Sequence, residues 1–243
     1  MNEEVISSSD AGADENDHPN HLEQPPQTPS THMIAMLTGI AMLSGFLVVL
    51  TAQITAPMIA ENQRIAIEKA IQQVVPGAVS NRKYRLVDGQ LLPLEKGAKD
   101  PLIYAGYDDN NKLLGIAAEG GAQGYAGMVN ILYGYDPKCE CIKGFKVLKM
   151  AETPGLGDKI ITDANFQANF PVDARVNREQ GQLTHPIITV KNGSKKNDWE
   201  IDAITGATIT SRAVGKALNQ SAQKVLPELI PLIDHIKFNK AEQ

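Results

Sequence analysis

The chain has 243 residues, of which 21% are charged and only 5% are aromatic, with 23 Lys and Arg against 28 Asp and Glu. Seven of the acidic residues and none of the basic ones lie in residues 1–32, so the net charge of −5 arises in that tail and the remainder is nearly balanced. Nucleic-acid binding needs a concentrated basic footprint, and the chain has none. We therefore expect no nucleic-acid partner.

Residues 1–32 are predicted to form a disordered acidic tail. The segment contains the Pro-rich stretch 24–29 and almost no apolar side chain that could be buried. A segment of high net charge and low hydrophobicity cannot offset the entropy that folding removes. We therefore assign the tail no fold.

Residues 33–56 predict a transmembrane helix, because no charged residue occurs between Met33 and Ala60. As a helix, residues 33–56 would span roughly 36 Å at about 1.5 Å per residue, which is enough to cross a bilayer. A cleaved signal peptide would need a basic leader and an apolar run of about 7–15 residues, whereas this leader is acidic and the run longer. We expect one retained membrane span. The alternatives are a cleaved segment, an interfacial segment and a buried helix of a soluble protein.

The charges beside this span bear on its orientation. Arg64 and Lys69 follow it, and no Lys or Arg precedes it. Because cytoplasmic flanks are enriched in Lys and Arg, this count alone favours a cytoplasmic C-terminal domain. Two residues make it a minor argument.

Residues 57–77 predict an amphipathic stalk helix. Apolar residues recur at helical spacing among polar ones over residues 58–75, and Pro76-Gly77 provides a stop signal. Pro57 is expected to kink the helix rather than end it, since its ring removes one backbone hydrogen bond.

Residues 78–225 predict a single α+β domain with a mostly antiparallel sheet and flanking helices. Residues 136–140 are expected to form a hairpin loop, residues 211–225 a closing helix, and residues 226–243 a helical segment that packs on its own domain rather than on a partner. Short apolar runs between Gly, Asp, Asn and Pro turn signals predict strands at 84–87, 102–107, 113–118, 128–135, 142–150 and 185–191.

Small residues and hydroxyls fill residues 202–211, immediately before the closing helix. Gly206 and Ala207 would let the backbone approach a ligand, and the N–H groups and positive dipole end of the helix favour a phosphate. Thr208 adds a hydroxyl beside that phosphate. Alternatively, Thr210 or Ser211 simply caps the helix behind a turn. The motif alone is weak evidence for a site.

A second motif occupies residues 152–160, with the sequence ETPGLGDKI, directly after a predicted strand. Pro154 and the two glycines fix an unusual backbone path. Glu152, Thr153 and Leu156 would then be held at set positions around a ligand. A plain surface turn needs no such Leu.

Together the two motifs resemble RnfG, the flavin-bearing component of the Rnf electron-transport complex. That family is related to NqrC of the sodium-translocating NADH:quinone reductase. Three features favour RnfG over NqrC: the TITSRAV ending of the second motif at residues 208–214, the DKI after GLG, and the stretch 124–127. Ala126 departs from the Ser that is more frequent in the family, which removes one possible hydrogen bond. The resemblance covers the membrane helix to about Val225 and includes Ile59-Ala60-Glu61-Asn62, Gly124-Tyr125-Ala126-Gly127 with Gly134, ETPGLGDKI and TGATITSRAV.

The resemblance implies an FMN that a flavin transferase attaches covalently, through its phosphate, to Thr208. No catalytic acid–base pair is then required, because the flavin carries the redox chemistry, and no metal site is expected. The family pattern places Thr205, Gly206, Ala207 and Thr210 at the phosphate end, and Glu152, Thr153, Leu156 and Gly157 against the isoalloxazine ring.

The resemblance also implies a relay protein in a membrane complex that couples electron flow between ferredoxin and NAD to movement of sodium ions or protons. Its partners would be the other membrane subunits. The N-terminus would be cytoplasmic and the C-terminal domain would lie on the outer side of the cytoplasmic membrane. This orientation is opposite to the one that the count of Lys and Arg residues favours. The alternatives are an NqrC-like flavoprotein, a membrane-tethered flavin redox sensor, and a non-redox interaction protein with a vestigial motif.

Cys139 and Cys141 lie in or beside the predicted hairpin loop. We expect structural thiols, because a disulfide between positions two apart closes a tight ring. An exported domain could nevertheless contain such a disulfide, and a metal site is the third alternative. Two ligands alone do not make a metal site.

Overall fold

The computed structural model describes residues 30–87, 89–93, 102–233 and 236. The predicted acidic tail up to residue 29, and much of the predicted C-terminal segment beyond residue 233, lie outside the described residues. The chain divides into two compact units, Met1–Ala56 and Pro57–Gln243.

Helix α1 spans Ser30–Val74 and is the long apolar element of the chain. An 18-residue window in it has a mean hydropathy of 2.4, and its side chains there are exposed. Thr51 and Thr55 donate their hydroxyls to carbonyl oxygens one turn earlier, each at 2.8 Å, so these polar groups are satisfied within the helix. By length and composition, α1 could cross a membrane.

The second unit is built on a seven-stranded antiparallel sheet with the order β2-β1-β3-β4-β5-β6-β7. The sheet strands are β1 Ser80–Val87, β2 Gln90–Pro93, β3 Leu102–Tyr107, β4 Leu113–Gln123, β5 Met128–Asp136, β6 Cys141–Lys149 and β7 Val172–Asp173. Beside it, β8 Val176–Asn177 pairs antiparallel with β9 Gln182–Leu183, and β10 Ile188–Val190 pairs parallel with β11 Glu200–Asp202. The helices are α2 Lys159–Thr162, α3 Ala164–Gln167 and α4 Thr208–Leu229, followed by the 3₁₀ turn Ile230–Leu232. The predicted α+β class is confirmed.

Both faces of the sheet are covered, because alternate side chains of a strand point to opposite faces. On β4, Ile116 belongs to the core that α4 closes through Val214 and Leu218. The adjacent Ala117 belongs to a second core that includes Ile71 and Val74 of α1. The second unit is therefore a helix–sheet–helix sandwich.

Glycines allow α1 to approach the sheet closely. A Cβ atom added at Gly134 would overlap the carbonyl oxygen of Val74, and one at Gly106 or Gly115 would lie 3.0 or 3.1 Å from Val75 Cγ1. Gly106 and Gly115 are paired across β3 and β4. The last turn of α1 thus lies directly on the backbone of three strands.

Several predicted boundaries were wrong. Helix α4 begins at Thr208, three residues before the predicted start at Ser211, and continues through Pro227 to Leu229. The predicted strand 185–191 shrinks to β10. Ile233 and Ile236 are buried in the main core, and the Tyr107 hydroxyl donates to the carbonyl of Ile236 at 3.1 Å. As far as it is described, the C-terminal segment packs on its own domain.

Cys139, in the connection between β5 and β6, forms a disulfide with Cys141, the first residue of β6. The expectation of structural thiols was therefore wrong, and the disulfide alternative is the one that the structure contains. Glu140 between the two cysteines has a φ of 52°, a left-handed conformation that costs a non-glycine residue energy. The covalent link and the hairpin hold it there.

Candidate functional site

The two sequence motifs meet around one open cavity of about 570 Å³. Its walls come from the β4–β5 hairpin, the loop after β6, and the turn that leads into α4. Small-molecule sites typically have volumes of about 300–1,000 Å³, so the cavity is of a suitable size for a nucleotide-sized ligand. It is lined by Tyr125, Glu152, Thr153, Leu156, Gly157, Gly206, Ala207, Thr208, Ile209 and Thr210.

Among the predicted site residues, Thr205 alone does not line this cavity. It is exposed and lines a neighbouring cavity of about 670 Å³ together with Lys159 and Asn192. Gly206 follows with a φ of 84°, which a residue with a side chain rarely adopts. The tight turn at Gly206 therefore lies between the two cavities.

The N-terminus of α4 forms the polar end of the cavity. Ala207 precedes the helix and supplies no side-chain cap, so neither Thr210 nor Ser211 is the simple cap that was the alternative interpretation. The first N–H groups of an α-helix have no partner within it, and they lie at the positive end of its dipole. Among the described residues, the half-buried Thr208 hydroxyl makes only a long hydrogen bond, 3.4 Å, to the Ile204 carbonyl.

The buried Ser211 hydroxyl hydrogen-bonds the backbone of this turn on both sides of Gly206. Sequence reasoning missed this role. Its hydroxyl oxygen accepts from the Ile204 N–H at 3.0 Å and donates to the Ala207 carbonyl at 2.9 Å. The side chain is fully buried. A Ser one turn after a Gly-Ala-Thr stretch was the available signal, although it was interpreted only as a possible cap.

Glu152 links the three walls of the cavity. Its Oε2 accepts from the Thr210 hydroxyl at 2.6 Å, and its Oε1 accepts from the Ala126 N–H at 3.2 Å. Thr210 is 2% exposed, so its hydroxyl requires an internal partner. The carboxylate provides that partner.

An apolar wall completes the cavity. Tyr125, Leu156 and Ile209 are 69%, 47% and 51% exposed, an arrangement that suits a flat aromatic ligand. Sequence reasoning missed Tyr125 and Ile209. Tyr125 had a signal, since it lies in a glycine-bracketed turn that the Gly124 N–H closes onto the Gly127 carbonyl at 2.8 Å.

Glu200, the first residue of β11, hydrogen-bonds the loop that precedes this strand. Its carboxylate accepts from the N–H groups of Lys196 at 2.6 Å and Asn197 at 3.1 Å. These hydrogen bonds, the one from Lys196 first, hold the pKa of Glu200 below its usual range. β11 then leads directly into the turn before α4.

Comparison with known proteins identifies the family. Residues 124–223 match the FMN-binding domain, a range that begins in the β4–β5 hairpin and contains every residue lining the 570 Å³ cavity. The G subunit of the ion-translocating oxidoreductase complex of Methanosarcina acetivorans is 31% identical over 195 residues, which cover 80% of this chain and 94% of that protein. The chain belongs to this family of G subunits.

Other members of the family give the same result. The G subunit of the Na⁺-translocating ferredoxin:NAD⁺ oxidoreductase complex of Acetobacterium woodii is 31% identical over 193 residues, covering 77% of this chain and 87% of that protein. The ion-translocating oxidoreductase G subunit of Shewanella amazonensis is 28% identical over 192 residues, covering 76% and 83%. This chain is a flavoprotein and a redox component of an ion-translocating complex, with other subunits as partners. The resemblance to RnfG inferred from the motifs is confirmed.

Solved structures share its fold. NqrC of Shewanella oneidensis superposes with a TM-score of 0.55 at 18% identity, covering 73% of this chain and 99% of that chain. The C subunit of the Na⁺-translocating NADH-quinone reductase of Parabacteroides distasonis gives a TM-score of 0.50 at 18% identity, covering 74% and 96%. At this identity the likeness shows the fold alone, and it agrees with the predicted α+β architecture.

Proposed function

We propose that this protein relays electrons through one FMN joined by a phosphoester to Thr208. The observation that carries the proposal is the position of the Thr208 hydroxyl, which lines the 570 Å³ cavity at the N-terminus of α4. A phosphate esterified there would lie at the positive end of the helix dipole, which favours an anion.

The residues around the cavity would divide between the two ends of the flavin. Gly206 and Ala207 would leave room for the phosphate. Thr205 does not line this cavity and would act only through the turn that it forms with Gly206. Thr210 would help to fix the first turn of α4. Thr153, Leu156 and Gly157 would face the isoalloxazine ring, with Glu152 beside them. When bound, FMN supplies the electron-transfer chemistry, and the protein tunes its potential by hydrogen bonds, burial and charge.

Attachment would be a phosphoryl transfer without net oxidation or reduction. A flavin transferase would supply an activated flavin nucleotide, and Thr208 Oγ1 would bond to phosphorus while its proton and the nucleotide's leaving group depart. Within the part of the chain that the structure describes, the Thr208 hydroxyl makes only the 3.4 Å hydrogen bond to Ile204, so esterification would disrupt little of that structure.

The test is covalent flavin labelling of the full chain. The chain is co-expressed with a flavin transferase, denatured, and examined for in-gel flavin fluorescence, alongside Thr208→Ala, Thr208→Ser and the control Thr184→Ala, whose side chain is exposed. We expect fluorescence in wild type, Thr208→Ser and the control, and none in Thr208→Ala. A dark wild-type band would contradict the covalent attachment of FMN at Thr208.

We further propose that the complex transfers electrons between ferredoxin and NAD, with the N-terminus of this protein in the cytoplasm and the FMN domain outside. The Cys139–Cys141 disulfide supports this orientation, because disulfides persist in oxidising compartments. Arg64 and Lys69 argue weakly for the opposite. Protease added to intact spheroplasts should digest the domain, and digestion only in inverted membrane vesicles would reverse the orientation.

A further inference from the structure

The Glu152 carboxylate makes hydrogen bonds within the protein that contact with a flavin ring alone would not require. Both of its carboxylate oxygens are hydrogen-bonded within the protein, one to the Thr210 hydroxyl at 2.6 Å and the other to the Ala126 N–H at 3.2 Å. Thr210 lies in the first turn of α4, two residues after Thr208. One side chain thus joins the helix that carries the proposed attachment point to the hairpin across the cavity.

Two glycines enclose the Glu152 side chain on its way between these partners. A Cβ atom at Gly157 would lie 2.6 Å from Glu152 Cβ and 2.8 Å from Oε2. A Cβ atom at Gly124 would overlap Glu152 Oε1 and would also lie 2.9 Å from Val129 Cγ2. Because real side chains do not approach so closely, both positions accept only glycine while Glu152 stays in place.

These contacts connect every wall of the cavity. Glu152 and Gly157 belong to the loop after β6, Gly124 and Ala126 to the β4–β5 hairpin, and Thr210 to α4. The Thr153 carbonyl accepts from the Leu156 and Gly157 N–H groups, so the loop has its own internal support. Glu152 thus contacts the hairpin and the helix from its own loop.

We infer that Glu152 is a positioning residue that sets the Thr208 hydroxyl against the ring-facing loop and hairpin. The inference rests on the proposed FMN attachment at Thr208. Without the Glu152 contacts, the three walls would sample alternative placements. A smaller fraction of molecules would then be able to bind the phosphate and the ring of a flavin at the same time. Flavin attachment would slow, although Thr208 itself is unchanged.

The test measures how fast the full-length chain, purified in detergent from cells without a flavin transferase, is labelled by purified transferase and its flavin nucleotide. Initial rates over a range of chain concentrations separate the maximal rate from the half-saturating concentration. The variants are Glu152→Ala, Glu152→Gln, Thr210→Val and the double variant Glu152→Ala/Thr210→Val. Ser221→Ala is the control, because it removes an α4 hydroxyl that bonds the Glu119 carbonyl at 2.6 Å outside the cavity lining.

We expect Thr210→Val, which removes one hydrogen bond to a charged group, to lower the maximal rate by about ten-fold or more. Glu152→Ala removes that hydrogen bond and the one from the Ala126 N–H, so its rate should fall at least as far. The half-saturating concentration should change little. Glu152→Gln should stay within about three-fold of wild type, since the amide can accept from Ala126 and donate to Thr210. The double variant should be no slower than the slower single variant, because both changes remove the same contact.

Three results would overturn the inference. They are Glu152→Ala labelled as fast as wild type, Glu152→Gln as slow as Glu152→Ala, and Ser221→Ala slowed as much as Thr210→Val. If Glu152→Ala fails to fold, Thr210→Val decides the question, since it keeps the carboxylate and removes only its partner. A wild-type chain that takes no label would instead overturn the proposed function itself.

Discussion

Gly134→Ala tests whether the close approach of α1 to the sheet depends on glycine. The added Cβ would overlap the Val74 carbonyl oxygen and lie 2.7 Å from the Val74 carbonyl carbon. The atoms in the way belong to the backbone, so no rotamer change can relieve the overlap. The last turn of α1 must move away, and the buried contacts of Ile71 and Val75 weaken with it.

The expected magnitude follows from the cost of overpacking. Extra methyl groups in packed cores typically cost about 1–3 kcal/mol, and a clash with backbone belongs at the upper end, about 3 kcal/mol. For a domain of this size, 1 kcal/mol lowers Tm by about 2–4 °C. Gly134→Ala should therefore unfold about 6–12 °C below wild type in thermal scans of the full chain, followed by circular dichroism at one fixed scan rate.

Gly144→Ala is the matched control. Gly144 pairs directly with Gly134 across β5 and β6, yet a Cβ at Gly144 would meet no atom within 4 Å. Its Tm should stay within about 2 °C of wild type, as for an ordinary surface substitution. Equal Tm values for the two variants would refute the claim that α1 needs glycine at position 134.

Two further predictions concern the support of the candidate site. Ser211→Ala would leave the Ile204 N–H without its present acceptor in a buried turn, which should cost about 1–3 kcal/mol, and an unchanged Tm would contradict that role. Glu200→Gln tests a carboxylate whose pKa is lowered in the folded protein. A lowered pKa contributes stability above the ordinary glutamate range, and that contribution is lost as the pH falls through this range to the lowered pKa. The variant should therefore have a lower Tm than wild type at neutral pH, and the difference should shrink towards acidic pH. A pH-independent difference in Tm would argue against the charge of Glu200 as its source.

The strong periodic elements could be predicted from the sequence, whereas the short ones could not. The strands at 102–107 and 128–135 follow β3 and β5 closely, because apolar runs bounded by turn residues carry their own signal. β7, β8 and β9 have two residues each, too few for any periodicity. Sequence reasoning also placed the start of α4 too late, at Ser211, where helical spacing resumes in the sequence, whereas the helix begins at Thr208.

The candidate site shows the same division. Pro, Gly and Thr motifs in residues 152–160 and 202–211 predicted a rigid ligand loop and an anion site, since their backbone requirements are local, and the resemblance to RnfG implied that the ligand is a flavin. The Glu152 contacts could not be foreseen, because Glu152 and Thr210 lie 58 positions apart. Tyr125 and Ile209 entered the site only when the hairpin and α4 were placed side by side.

The sequence by itself determined the apolar span, the α+β class and the family, because composition, periodicity and motif order are properties of the chain that need no neighbours. Tertiary structure alone decided which side chains meet. It paired Cys139 with Cys141, separated Thr205 from the cavity of Thr208, and gave the Glu152 carboxylate to Thr210 and Ala126. The physical reason is that hydrogen bonds and packing act over a few ångströms in space, and distance along the chain does not fix distance in the fold.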